Sequence, residues 1–355
     1  MSLVDSHAHL DHLEDVGGAL ARAKKAGVTK IVTIGTTIAE SENACNLALS
    51  CSRLQPERRS ARGPGLDIRT TGLDVYATAG IHPKDGRNDI KKFGIDESIH
   101  RLKTITQSSK KVVAIGECGL DYYEQETRNN KQKTGEAEKK LQRELFKAQI
   151  KLAANLNLPL VIHCRNGWDE IFDILKTSIK YSSSRRRDVS SKADSRHPRE
   201  SEDQILNPFD KTQNKRVQDD KGKFSLRSNN MLPGVFHSWT GDWGAAQKAL
   251  NLGFYISFSG IVSFKNASAV QDTARRMPLD RMLIETDSPF LAPEPLRSAP
   301  FEESQDGQGK LGQGKKNEPE NVKIIARFIA DIRKLTLDEV AAQTSFNAQE
   351  LFKLL

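Results

Sequence analysis

The chain has 355 residues, 54 Lys+Arg against 46 Asp+Glu, and four cysteines. That length buries one large α/β core or two ordinary ones, and a composition with 37% hydrophobic and 28% charged residues excludes a disordered chain. No apolar run approaches the roughly 20 residues a membrane helix needs, the first residues lack a secretory pattern, and Cys45, Cys51, Cys118 and Cys164 form neither a CxxC pair nor a disulfide framework.

These features predict a cytoplasmic protein with free thiols and no membrane association. The net charge of +8 is carried by four polar stretches, 55–70, 128–140, 182–230 and 294–317, with net charges of +2, +3, +4 and 0. The rest of the chain is close to neutral. Such Ser/Lys/Arg/Gly-rich segments bury too little surface to offset their ordering entropy, and are expected to be low-order surface insertions. A sharper alternative gives Arg185, Arg186 and Arg187 a role in steering a polyanion or in nuclear localisation.

Between the insertions, apolar or β-branched runs alternate with amphipathic stretches. A strand at 3–6 precedes a helix near 15–26, a strand at 30–34 a helix near 41–53, a strand at 75–80 a helix near 95–107, and a strand at 112–116 a helix over 141–156. Strands at 159–163, 234–238, 254–258 and 282–286 follow, with helices near 167–180, 243–252, 266–276, 320–333 and 337–355. Continuous rather than alternating apolar runs are the mark of strands buried on both faces. Eight such strands predict a (β/α)8 TIM barrel, a single domain spanning the chain. An open doubly wound sheet usually offers a Gly-rich turn after its first strand; here His-Ala-His follows instead.

Six side chains fall at the predicted C-terminal strand ends: His7, His9, Glu117, His163, His237 and Asp287. In a closed barrel those ends share one rim, where active sites of this fold sit. His7 and His9 are two apart in an extended segment, so both imidazoles reach one ion. A catalytic zinc-like ion keeps three protein ligands, so six donors fit two ions that share a carboxylate. Glu117, from the middle strands, is the expected bridge. His7, His9, Glu117 and Asp287 are assigned to one ion, and Glu117, His163 and His237 to the other. Nitrogen-rich ligation favours Zn, Mn, Fe or Co over Mg.

The segments VDSHAHLD (4–11), AGIHP (79–83), AIGECGLDYY (114–123), LPLVIHCR (158–165), GVFHSWTG (234–241), LGFYISFSGIVSFKNA (252–267), LIETDSPFLAP (283–293) and NEPENV (317–322) occur in order. As a set they resemble the TatD family of metal-dependent deoxyribonucleases. The resemblance implies a TIM barrel with two divalent ions, often magnesium. It implies hydrolysis of DNA phosphodiesters, in the 3′→5′ direction on single strands and in some cases on RNA. It maps the family's ligands onto the same six residues. The family runs almost directly from ETDSPFLAP to a basic turn before NEP, whereas 294–317 intervene here, which puts the placement of Lys315, Lys316 and Asn317 in question.

The expected chemistry follows. Asp287 and Glu117 are the catalytic carboxylates, Asp287 as general base and Glu117 as the residue that sets the inter-metal spacing. Arg165 is placed to clamp a phosphate, or else forms a surface ion pair. His82 contacts the substrate phosphate, orients a ligand, or simply starts a helix before Pro83. Trp239 stacks a base or packs in the core, and Tyr122 and Tyr123 carry the same two options. Cys118 and Cys164 neighbour ligands but lack a free histidine base. The competing functions are an ester, amide or aminoacyl-nucleic-acid hydrolase on the same binuclear barrel, and a scaffold without catalysis. The sequence does not fix an oligomeric state.

Overall fold

The structure is a computed structural model and describes residues 1–52, 72–123, 125–127, 130–132, 135–178, 234–298 and 316–354. The predicted insertions 55–70 and 182–230 lie outside the described residues, as does Lys315.

The apolar runs form strands β1 (Leu3–Ala8), β2 (Val28–Thr33), β3 (Asp74–Ala79) and β4 (Val112–Asp121). A two-stranded hairpin of β5 (Gln125–Thr127) and β6 (Asn130–Gln132) comes next, then β7 (Leu160–Arg165), β8 (Gly234–Phe236), β9 (Tyr255–Phe258) and β10 (Met282–Ile284). Eight of these pair in parallel in the order β1-β2-β3-β4-β7-β8-β9-β10. The seam back to β1 is joined by hydrogen bonds from Asp287 N to His7 O (2.9 Å) and from His9 N to Ser288 O (2.8 Å). Thr286 ties the same seam through its backbone N and hydroxyl to the Asp5 carboxylate, at 2.9 and 2.6 Å. The result is a (β/α)8 barrel.

Helices α1 (Val16–Ala26), α2 (Ile38–Ser52), α3 (Arg87–Ser108), α4 (Glu136–Leu156), α5 (168–178), α6 (Trp243–Asn251), α7 (Ser268–Arg276), α8 (Val322–Arg333) and α9 (Leu337–Phe352) accompany the strands. Their ends follow local chemistry. Asp15 caps α1 by accepting from Gly18 N, Gly27 ends it at φ 100°, and Thr336 with Glu339 forms a capping box on α9.

Two helices begin earlier than their apolar periodicity predicts. α3 starts at Arg87 rather than 95 because Gly94, at φ 73° and ψ 173°, interrupts it and breaks the hydrophobic phase. α4 starts at Glu136 rather than 141, so part of the predicted insertion 128–140 is helix and hairpin. Glu136 and Glu138 in its first turn complement the helix dipole, and Arg143 pairs with Glu136 at 2.6 Å.

The core has two layers. Val4, Val113, Val161, Val235 and Leu283 are each the second residue of their strand and cluster inside the barrel with Leu351, Phe352 and Leu354 from the end of α9 and the residues after it. This apolar filling closes the N-terminal mouth. A larger layer packs the helices on the outside of the strands. The polar side chains that the barrel interior does hold are therefore gathered at the C-terminal mouth. Among the described residues no helix is long and apolar enough to cross a membrane, and all four cysteines are free and buried.

Candidate metal centre

All six predicted donors meet at the C-terminal mouth. His7 is the penultimate residue of β1 and His9 lies just beyond the strand; Glu117 and His163 lie within β4 and β7; His237 follows β8 and Asp287 follows β10. Glu117 owes its aim to a register slip. Ile115 pairs with Leu160 but Cys118 with Ile162, so β4 carries one extra residue at Gly116–Glu117. Such a bulge re-aims a side chain. Close packing accommodates it: a Cβ on Gly80 would lie 2.2 Å from the carbonyl carbon of Gly116, and one on Gly119 would lie 2.0 Å from His163 O. Asp287 sits at φ 57°, a left-handed conformation that aspartate tolerates better than most residues, and it is fixed there by its bond to His7 O.

The donor atoms divide into two groups. His7 Nε2 lies 3.3 Å from His9 Nε2, 3.4 Å from Glu117 Oε2 and 3.4 Å from Asp287 Oδ1. His9 Nε2 lies 3.3 Å from Asp287 Oδ1 and 3.9 Å from Glu117 Oε2. In the second group Glu117 Oε1 is 2.9 Å from His163 Nδ1 and 2.8 Å from His237 Nε2, which are 3.2 Å from each other. Ligands about 2.1 Å from a common ion are about 3.4 Å apart in a tetrahedron and about 3.0 Å apart as octahedral neighbours. Every pair but His9 and Glu117, at 3.9 Å, falls near those edges. Glu117 serves them with different oxygens.

Carboxylates stand behind the imidazoles. His163 Nε2 lies 3.3 Å from Asp121 Oδ2, and His237 Nδ1 lies 3.6 Å from Glu285 Oε1. A carboxylate behind a histidine fixes its ring and raises its basicity as a ligand. Those two contacts are electrostatic: His163 Nε2 and His237 Nδ1, like Nδ1 of His7 and of His9, are buried without a hydrogen-bond partner among the described residues.

Electrostatics in the cluster are strongly coupled. Burial, with the nearby His237, holds the His7 imidazole below its usual pKa. Burial opposes charge on His9, His163 and His237, but adjacent carboxylates outweigh it and raise all three, His237 most through the charge of Glu117. Burial likewise opposes ionisation of Glu117 and Asp287, yet the imidazoles hold both below the ordinary carboxylate range, Glu117 well below. Desolvation raises buried Asp5 to about 8 despite its bonds to Thr286. A site that stabilises carboxylates beside crowded imidazole nitrogens has the donor chemistry of a divalent cation site, and His7, His9 and Glu117 form one group whose ligand atoms can hold an ion.

Residues 4–353 match the family described as TatD related DNase. The chain belongs to this family. A metal-dependent hydrolase of Buchnera aphidicola subsp. Baizongia pistaciae is 32% identical, the match covering 100% of this chain and 97% of that one. A Klebsiella pneumoniae protein named 3′-5′ ssDNA/RNA exonuclease TatD is 25% identical over 99% of this chain and 95% of its own length. In fold, the chain resembles the Escherichia coli TatD homologue YJJV with a TM-score of 0.65 at 22% identity, over 99% of this chain and 98% of that one.

Around the centre of this TatD-family barrel, the remaining predicted residues separate. His82 is in the site: its Nε2 lies 3.6 Å from Glu117 Oε1, its Nδ1 is 2.8 Å from Asp85 Oδ2, and its ring meets His163 edge-on at 4.5 Å. Arg165 is on the rim, exposed, with its guanidinium 3.5 Å from the centroid of the Tyr123 ring and no ion pair among the described residues. Among the described residues its partner is thus an aromatic ring. Tyr123 is 38% exposed, whereas Tyr122 is buried and donates to Glu170 Oε2 at 3.0 Å.

Trp239 is a correction. It is 1% exposed and packs against Trp168 at 4.6 Å and Phe236 at 5.8 Å, so it offers no face to a base. In an extended strand it would share a side with His237, but Ser238 at φ 42° breaks that alternation and sends the indole into the helix layer. Burial raises the thiol pKa values of Cys118 and Cys164, as expected of inert core cysteines.

Asn317 is docked in spite of the preceding insertion. It is fully buried, donates from Nδ2 to Thr286 O and Phe290 O at 2.7 Å each, and accepts at Oδ1 from Glu318 N and Asn321 Nδ2. It thus clamps the loop that carries Asp287. Lys316 pairs with Glu14 at the surface. Three carboxylates that face these rings were not among the residues expected from the sequence: Asp121, Glu285 and Asp85. Each stands inside a motif already singled out or beside one, Asp121 and Glu285 four and two residues from a donor and Asp85 three from His82, and that spacing was the available signal.

Proposed function

We propose that this TatD-family protein is a two-metal hydrolase of DNA phosphodiesters that digests single strands from the 3′ end. The observation that carries the proposal is the division of labour at Glu117, whose Oε2 faces His7, His9 and, across them, Asp287, while its Oε1 faces His163 and His237. One ion would be held by His7, His9, Glu117 and Asp287, the other by Glu117, His163 and His237. Mg, Mn and Zn are the candidate metals. Bound there, a pair of divalent ions supplies Lewis-acid stabilisation of a phosphoryl group and a lowered pKa for water.

The chain's own residues supply the rest. Asp287 directs Oδ1 to both imidazoles, and its carboxylate takes the proton of the attacking water. Arg165, held flat on Tyr123, presents its guanidinium fork to a phosphate oxygen pair. His82, held at Nδ1 by Asp85, turns Nε2 to the Glu117 side, where it orients the groups at the centre. Glu117 keeps the two donor groups in register. The relative named as a single-strand DNA and RNA exonuclease supports the choice of substrate and direction, and leaves RNA as a second substrate.

The test uses protein stripped with chelator and a 5′-labelled single-stranded oligonucleotide, with Mg, Mn or Zn restored separately. The expected result is a ladder shortening from the 3′ end only after metal is restored. An intact oligonucleotide with all three ions, beside hydrolysis of a simple ester or amide, would replace the proposal with its competitor.

A further inference from the structure

Among the described residues, the well-exposed large apolar side chains are Met1, Tyr123, Phe290 and Phe346. Met1 begins the chain, and Phe346 belongs to α9, whose end plugs the opposite mouth. Tyr123 carries Arg165 on its ring. Phe290 is left: it is 48% exposed and borders the proposed metal centre, yet no role in the mechanism above uses it.

Its surroundings make it a fixed aromatic surface. The ring stands edge-on to His9 at 5.6 Å and to His12 at 5.9 Å, with interplanar angles of 71° and 90°. His9 and His12 are themselves nearly parallel at 5.5 Å. The backbone is pinned on both sides, since Phe290 N donates to Asp287 O at 2.8 Å and Phe290 O accepts from the buried Asn317 at 2.7 Å. An exposed phenyl ring on a clamped loop has little ordering entropy left to lose when a flat ligand covers it. It also stands three residues from Asp287, so a group resting on it belongs to the same substrate as a phosphate held at the centre.

We infer that Phe290 is a base-stacking platform for a nucleotide adjoining the scissile phosphate. The inference rests on the reading of this chain as a DNA hydrolase and deepens it. A base inside a duplex already has both faces stacked and its edge paired, whereas an unpaired base is free to lie on a ring. Stacking is also tolerant of sequence, because every base has a π-face. The platform therefore selects single strands without selecting a sequence, and it does so on the His9 side of the centre, while Arg165 on Tyr123 takes phosphate on the His163 side.

The experiment compares wild type, Phe290→Ala and Phe290→Tyr on two single-stranded oligonucleotides, one natural and one whose 3′-terminal nucleotides carry tetrahydrofuran in place of the base-bearing sugar. Thermal melting checks that the exposed substitutions leave the fold intact. Phe290→Ala is expected to raise KM on the natural strand about tenfold, at the low end of losses for base–aromatic stacking. Phe290→Tyr restores it, and on the base-free end wild type and Phe290→Ala have the same KM. Equal KM for wild type and Phe290→Ala on the natural strand overturns the platform and leaves the hydrolase standing. A KM increase of the same size on both strands also overturns it, since that marks a merely structural role. If wild type cleaves neither strand, the hydrolase reading fails first and the platform with it.

Discussion

Glu117→Gln is expected to lower DNA hydrolysis on the order of 10³-fold or more, with loss of at least one bound ion. Glutamine keeps the volume of a side chain that is 4% exposed, so the fold has no cavity to collapse. What changes is charge and donor type. Glu117 Oε1 is 2.8 Å from His237 Nε2 and 2.9 Å from His163 Nδ1, and Oε2 is 3.4 Å from His7 Nε2. An amide can turn its oxygen to one group only; its NH2 then faces the other, where it repels a cation. The lost negative charge weakens both positions. Elemental analysis of reconstituted protein, alongside kcat/KM on single-stranded DNA, measures the two effects together. Turnover within tenfold of wild type with metal content unchanged would contradict the bridging role.

Asp287→Asn is expected to act differently. Asparagine retains an oxygen toward His7 and His9, so substrate binding persists, but the amide cannot accept a proton. A decrease in kcat of about 10²- to 10⁴-fold with little change in KM is the expected signature of a missing general base. In wild type, burial raises the Asp287 pKa, but the His9 hydrogen bond and the imidazole charges lower it further, so the carboxylate is ionised and ready at neutral pH. If kcat falls less than fivefold, the proton goes elsewhere, and His82 with its Asp85 partner becomes the residue to substitute next.

The gathering of the six candidate donors at one mouth was legible because they contradict their surroundings. Each donor interrupts or ends an apolar run, and a polar group at the end of a buried strand has few structural reasons to be there. The parallel barrel was legible for the same reason: strands covered on both faces leave continuous apolar runs. Other features depend on single backbone angles that no periodicity reports. Gly94 hides the first two turns of α3, and Ser238 at φ 42° turns Trp239 away from the mouth. The backing carboxylates were hidden by chemistry rather than geometry. Asp121 and Glu285 resemble any other acidic residue until the fold sets them against His163 and His237. Phe290 lies within ETDSPFLAP, where a phenylalanine reads as core until its exposure is seen.

In the proposed centre two carboxylates, Glu117 and Asp287, and four imidazoles hold a pair of cations at the barrel mouth. Anomalous diffraction from crystals of the chelated protein soaked in Mn²⁺ tests it most directly. Two peaks are expected on either side of the Glu117 carboxylate, one within bonding distance of His7 Nε2, His9 Nε2 and Asp287, the other within bonding distance of His163 Nδ1 and His237 Nε2. A single peak, or peaks that leave Glu117 uncoordinated, would contradict it.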